Sequence, residues 1–258
     1  MKGAYSRRIH CIPSFGTMTI TNRFLNGAVL AGTALTLGLL STAPAQAFTF
    51  ADKYHVTVGA GDINKSFTAV FDGNVEGQNV SGLSAEAVFT FLGFAPSGGN
   101  TNANFSVALK NTSSGGITSR VSVLGFDVDP NLIAASTSGF FPGAVLKSKF
   151  PNQFGPIEVC FKGGQTNNCQ GGTGTGLFNG ETGTFNPVLT FVGSVDSFTL
   201  SNFGVRYQSI SGNGFNGASG TGRGKVPTPA LLPGLLALGA GVWRKRKGEQ
   251  AAEAKAEV

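Results

Sequence analysis

Between Phe48 and Trp243 the chain has one histidine, His55, in the run ADKYHVTVG. A Ser–His–acid triad would need that imidazole as its general base. No nucleophile signature accompanies it, so the run reads as a first strand with a surface histidine. Ten acids are scattered through residues 48–243. Two of them flanking a glycosidic bond would make a secreted hydrolase, and sequence cannot show their spacing. DVDPN, Asp127 to Asn131, begins like a calcium loop, with oxygen side chains at its first, third and fifth places. The pattern then breaks: Leu132 stands where that loop needs glycine, and Ser138 where it needs a bidentate acid. GGTGTGLFNG, Gly171 to Gly180, lacks the GK[ST] ending of a phosphate loop. The expectation is a chain without catalytic residues, metal site or cofactor.

The elements that would carry such residues are strands. Ala85, Ala87, Phe89 and Phe91 alternate, as do Phe105, Val107 and Leu109. Leu124, Phe126 and Val128 share a face opposite Val121 and Val123. Phe198 and Leu200 alternate, then Phe203, Val205 and Tyr207 take the opposite parity, which predicts a bulge. Period two between Gly, Asn and Ser clusters implies antiparallel strands with one buried face. About eight to ten such runs predict an all-β fold, an antiparallel, jelly-roll-like β-sandwich over 48–210, with a barrel as the other candidate. The 22 phenylalanines of the chain are its core filler, and the domain has only Tyr54 and Tyr207 as polar aromatics. SGNGFNGASGTGRGK, residues 211–225, has six glycines in fifteen residues and reads as a flexible linker.

The net charge of +6 belongs to the ends. Residues 48–243 contain ten cations and ten acids, so the domain is neutral and offers no basic surface for nucleic acid. Residues 1–47 read as a signal peptide. Arg23 precedes an apolar core, Ala28 to Leu40, and Ala45 and Ala47 form the small-residue pattern for cleavage before Phe48. Met18 is an alternative start. Cys11 falls in the discarded part. An exported chain then keeps Cys160 and Cys169, which are expected to pair as a disulfide; a metal site would need further ligands.

The other end reads VPTPALLPGLLALGAGVWRKRK, Val226 to Lys247. Ala230 to Trp243 is uncharged and as a helix reaches about 21 Å, short of a bilayer core of about 30 Å. Trp243 suits the interface, and Arg244, Lys245, Arg246 and Lys247 suit the cytoplasmic side. This short transmembrane segment (226–247) is followed by a tail, 248–258.

A signal peptide at one end, with Pro-x-Pro, a short apolar helix and a basic cluster at the other, resembles the PEP-CTERM sorting architecture of bacteria. Val226-Pro227-Thr228-Pro229-Ala230 resembles its PTPA variant, associated with cyanobacteria. The VCFKGGQTNNCQGG and SNFGVRYQSI segments are similar to the cistern family that carries this tag. The resemblance implies a partner, an exosortase-like transpeptidase. It would read Pro227 and Pro229 while Arg244 to Lys247 hold the substrate in the inner membrane. It also implies release to the cell surface or extracellular matrix, or attachment to envelope or exopolysaccharide, with a structural or adhesive role. Carbohydrate binding, possible with calcium, is the alternative. Thr228 replaces the family's glutamate, and the tail 248–258 extends past the usual end. Intact-mass measurement of the extracellular form should give a chain that starts at Phe48 and lacks Trp243. A mass that includes Trp243 refutes the removable segment.

Overall fold

The computed structural model describes residues 48–164, 166–172 and 174–227. In chain order the first eight strands are β1 (Thr49–Asp52), β2 (His55–Gly59), β3 (Ser66–Phe71), β4 (Asn74–Val75), β5 (Gln78–Asn79), β6 (Ala85–Ser97), β7 (Asn100–Asn111) and β8 (Thr118–Asp129). The rest are β9 (Ala134–Ser136), β10 (Gly143–Phe150), β11 (Gly155–Lys162), β12 (Leu177–Phe178), β13 (Thr182–Phe185), β14 (Val188–Phe191), β15 (Ser197–Gly212) and β16 (Phe215–Lys225). Only one turn of 3-10 helix, Ala60–Asp62, interrupts them among the described residues. Several of these strands are two to four residues long, which is why alternation alone predicts fewer of them.

The pairings are antiparallel and run β10-β11-β8-β15-β16-β3-β6-β7-β14-β9. The path has two halves, and β16 joins them. Most of β16 pairs with β15, but its last residues, Gly224 and Lys225, pair with Phe71 and Val70 of β3. β15 is long enough to have two partners on one edge: β2 along Ser197–Leu200, then β16 from Gly204 onward.

One hydrophobic core joins the halves. Phe67 and Phe89, from β3 and β6, stack with ring centroids 4.9 Å apart. Phe89 meets Phe126 of β8 at 5.8 Å and Phe203 of β15 at 5.6 Å. Phe198 touches Phe91, Phe105 and Phe191 of the other half. Edge-to-face and tilted pairs of this kind bury large apolar area and add directional preference. A smaller cluster lies outside this core: Val123, Phe150, Phe154, Ile157 and the disulfide Cys160–Cys169. Lys162 closes the same loop, its Nζ donating to Gly164 O and Thr166 Oγ1.

Two expectations need correction. Val121 belongs to the main core with Leu124 and Phe126, not to the opposite face. The pairing of β8 with β15 slips between Arg206↔Val123 and Tyr207↔Val121, and that extra residue reverses the parity. Residues 211–225 are not a linker. Asn213 and Gly214, both with positive φ, turn the chain tightly from β15 into β16. The alternate glycines then admit close neighbours. A Cβ at Gly222 would collide with the Asp72 carbonyl, and one at Gly224 would stand 2.6 Å from Phe203 Cβ. Glycine here is a strand residue chosen for approach.

Replacing Cys160 with serine frees a loop whose ends are nine residues apart. The expected loss is about 2–3 kcal/mol, seen as a lower urea midpoint with little change in slope. A chain that ends at Ile210 should lose cooperative unfolding, whereas one that ends at Pro227 keeps it. Equal cooperativity in both would refute β16 as part of the domain.

Candidate functional site

β16 places Arg223 at the meeting point of two clefts. Its neighbours Gly222 and Gly224 face inward, so the strand's alternation turns Arg223 outward. The guanidinium lies over the Phe154 ring, 4.3 Å from its centre. Nη1 donates to Asn202 Oδ1 at 3.3 Å and Nη2 to Phe154 O at 3.2 Å. The backbone N–H of Arg223 donates to Asp72 Oδ1 at 2.9 Å, and Asp72 Oδ2 faces Lys225 Nζ at 3.5 Å. Below them the buried Tyr207 hydroxyl donates to Asp72 O. Burial, and then the charge of Asp72, pushes that phenol well above its ordinary range, so it stays a donor.

One cleft, about 360 Å³, is lined by Tyr54, His55, Ser201, Asn202, Phe203, Arg223 and Gly224. The other, about 230 Å³, is lined by Asp72, Asn74, Asn79, Asn152, Gln153, Thr221 and Arg223, with Phe154 and Gly77. Asn152, Gln153 and Asn202 have positive φ, at 56°, 62° and 48°. Left-handed backbone at non-glycine residues gathers at ligand-contacting positions in many proteins. The side chains that converge are amides, a carboxylate, a guanidinium and hydroxyls. They donate and accept hydrogen bonds, and the His55 imidazole lies at the edge of the first cleft.

His55 is exposed, and its Nδ1 sits 2.8 Å from Asp52 Oδ1. That bond, with the Tyr54 backbone N–H, holds the Asp52 carboxyl below its ordinary range. Ser201 lines the same cleft as His55, yet among the described residues no hydroxyl bonds the imidazole. Asp127 accepts from the Glu158 N–H and from Asn202 Nδ2, both at 2.8 Å. Its carboxylate thus fixes the β15 bulge. Among the described residues no three His, Cys, Asp or Glu side chains converge.

Of the residues expected to matter for targeting, Phe48 is buried, its ring 5.1 Å from that of Phe67. Val226 is buried, and its N–H donates to Lys53 O at 2.7 Å. Pro227 borders an apolar cavity with Phe48, Phe50 and Phe67. Ala45, Ala47, Thr228, Pro229, Ala230 and Arg244 to Lys247 lie outside the described residues. Among the described residues no helix is long and apolar enough to cross a membrane. The clefts are not legible in the sequence, because the glycine-rich composition around Arg223 reads as a linker. The Asn213-Gly214 pair is the signal in the sequence for a hairpin turn at this point.

Asn202→Gly and Asn202→Val both remove the amide contacts to Asp127 and Arg223. Only valine must also hold a left-handed backbone, so it should be less stable than the glycine variant by about 1–2 kcal/mol in urea melts. Equal stability would show that the bulge is not strained. No family model, curated protein or solved structure matches this chain.

Proposed function

We propose that this chain is an exported, non-catalytic protein of the cell surface or extracellular matrix that adheres to polysaccharide. Its halves form a jelly-roll-like sandwich, and the clefts at Arg223 take the sugar. The observation that carries this is the convergence of amides, Arg223 and Asp72 on two adjoining open clefts, with the Tyr54 ring at the margin. Hydroxyl-rich ligands are bound by such bidentate donors and acceptors. The signal peptide and proline motif supply the route. After export, the C-terminal segment anchors the chain transiently in the inner membrane, and an exosortase-like enzyme removes it.

Because Val226 is part of the fold, processing would act beyond the domain's last buried residue, and the domain would stand directly against the membrane until release. Arg223→Ala should weaken binding of the mature protein to the producing cell's own matrix polysaccharide by about tenfold, or about 1.4 kcal/mol, measured by affinity electrophoresis. Unchanged retardation refutes the clefts as the sugar site. Shortening of the polysaccharide during incubation would instead favour the hydrolase reading.

A further inference from the structure

On the outer face of β8 and β15, two arginines stand without a counter-charge. Arg120 is only 7% exposed. Its Nη2 donates to Gln208 Oε1 at 3.4 Å, while its buried Nε has no acceptor. Arg206 stands two residues along β15 from Gln208, on the same face. Its Nη2 donates to Ser219 Oγ at 3.2 Å, and its buried Nε likewise has no acceptor. The ion pairs among the described residues are Asp52–His55, Asp62–Lys65 and Asp72–Lys225. No carboxylate pairs with either arginine. Desolvation, and then the positive charge of Arg120, lowers the Arg206 pKa from its ordinary value. Like charges that are partly desolvated and uncompensated are costly to hold, and an anion removes that cost.

The pair is joined to the clefts. Ser219 Oγ, which accepts from Arg206, also accepts from Asn152 Nδ2 at 3.2 Å, and Asn152 lines the cleft beside Arg223. We propose that Arg120 and Arg206 form an oxyanion subsite that takes the carboxylate or sulfate group of an acidic polysaccharide. The identity of the ligand rests on the polysaccharide reading above; the need for an anion does not. A guanidinium offers parallel N–H donors that match the oxygens of such a group. Both Nε–H groups are buried and unbonded, so each guanidinium keeps an uncompensated charge, which an oxyanion at the outer Nη groups would offset. The balance of ten cations and ten acids in residues 48–243 fits recognition of a single acidic group in a sugar chain.

The test uses the mature protein at about 0.15 M salt, with polygalacturonate, dextran sulfate, neutral dextran and inorganic sulfate as probes. The variants are Arg206→Gln and a control, Lys110→Gln, which removes an exposed cation from β7 in the other half. Arg206→Gln should weaken binding of the acidic polymers tenfold or more, and the control less than twofold. Whichever acidic polymer binds more tightly identifies the group. Equal losses in the two variants, or no loss in Arg206→Gln, overturn the subsite. Binding of neutral dextran that Arg206→Gln leaves unchanged, with no preference for acidic polymers, also overturns it while leaving the Arg223 clefts as the sugar site. If no polymer binds, thermal melts in sulfate decide. Sulfate raises midpoints generally by exclusion, so the difference between proteins is read. A rise larger in wild type than in Arg206→Gln supports the oxyanion subsite and refutes the polysaccharide reading; equal rises refute both. The melts also show whether Arg206→Gln is folded, and its midpoint without anion should match or exceed that of wild type.

Discussion

At Asn202 the backbone of β15 turns left-handed, and the strand gains one residue on its partner β8 between Ser201 and Gly204. Without that bulge Leu200 and Phe203, three residues apart, would point to opposite faces. With it both are buried, and Phe203 reaches Phe67, Phe89 and Phe126 across the core. The same residue aims the Asn202 amide outward, between the Asp127 carboxylate and Arg223. The join between the two halves and the shape of the cleft thus follow from one bulge. Asp127 holds it by accepting from Asn202 on one side and from the Glu158 backbone on the other.

A second constraint is the width of β16. It lies between β15 and the Asp72–Val75 stretch, and it delivers its end to β3. Side chains at Gly220, Gly222 and Gly224 would meet Asn74 O, the Asp72 carbonyl and Phe203 respectively. Bare backbone lets β16 serve both halves, and the positions between carry the polar groups. Ser219, Thr221 and Arg223 are those intervening positions. In this strand, spacing for packing and placement of function are the same alternation.

The charge distribution is economical. The domain holds few ions, and the acid that lines a cleft, Asp72, is engaged with Arg223 N–H and Lys225, as Asp127 behind Asn202 is with that amide. Arg120 and Arg206 are the exception, because their neighbours are neutral acceptors that satisfy one nitrogen each. A neutral acceptor gives a hydrogen bond but does not compensate charge.

The sequence by itself determined the strand character of Phe89, Phe105, Phe126 and Phe203, the parity change after Leu200, and the Cys160–Cys169 bond, because alternation and close cysteine spacing are local. The single histidine of residues 48–243, His55, and the broken calcium pattern that starts at Asp127 are likewise visible without coordinates. The expected export and sorting signals lie mainly outside the described residues, although Phe48 and Val226 lie in the fold. Only the tertiary structure decided that residues 211–225 are a strand. Glycine content says that the chain can bend, while the collision of any side chain with Asp72 or Phe203 depends on residues about 20 to 150 positions away. The same holds for Arg223, Asn152 and Asn202, and for Arg120 and Arg206. Their meeting is set by long-range pairing of β8, β15 and β16, and no local pattern in a single chain records which strands become neighbours.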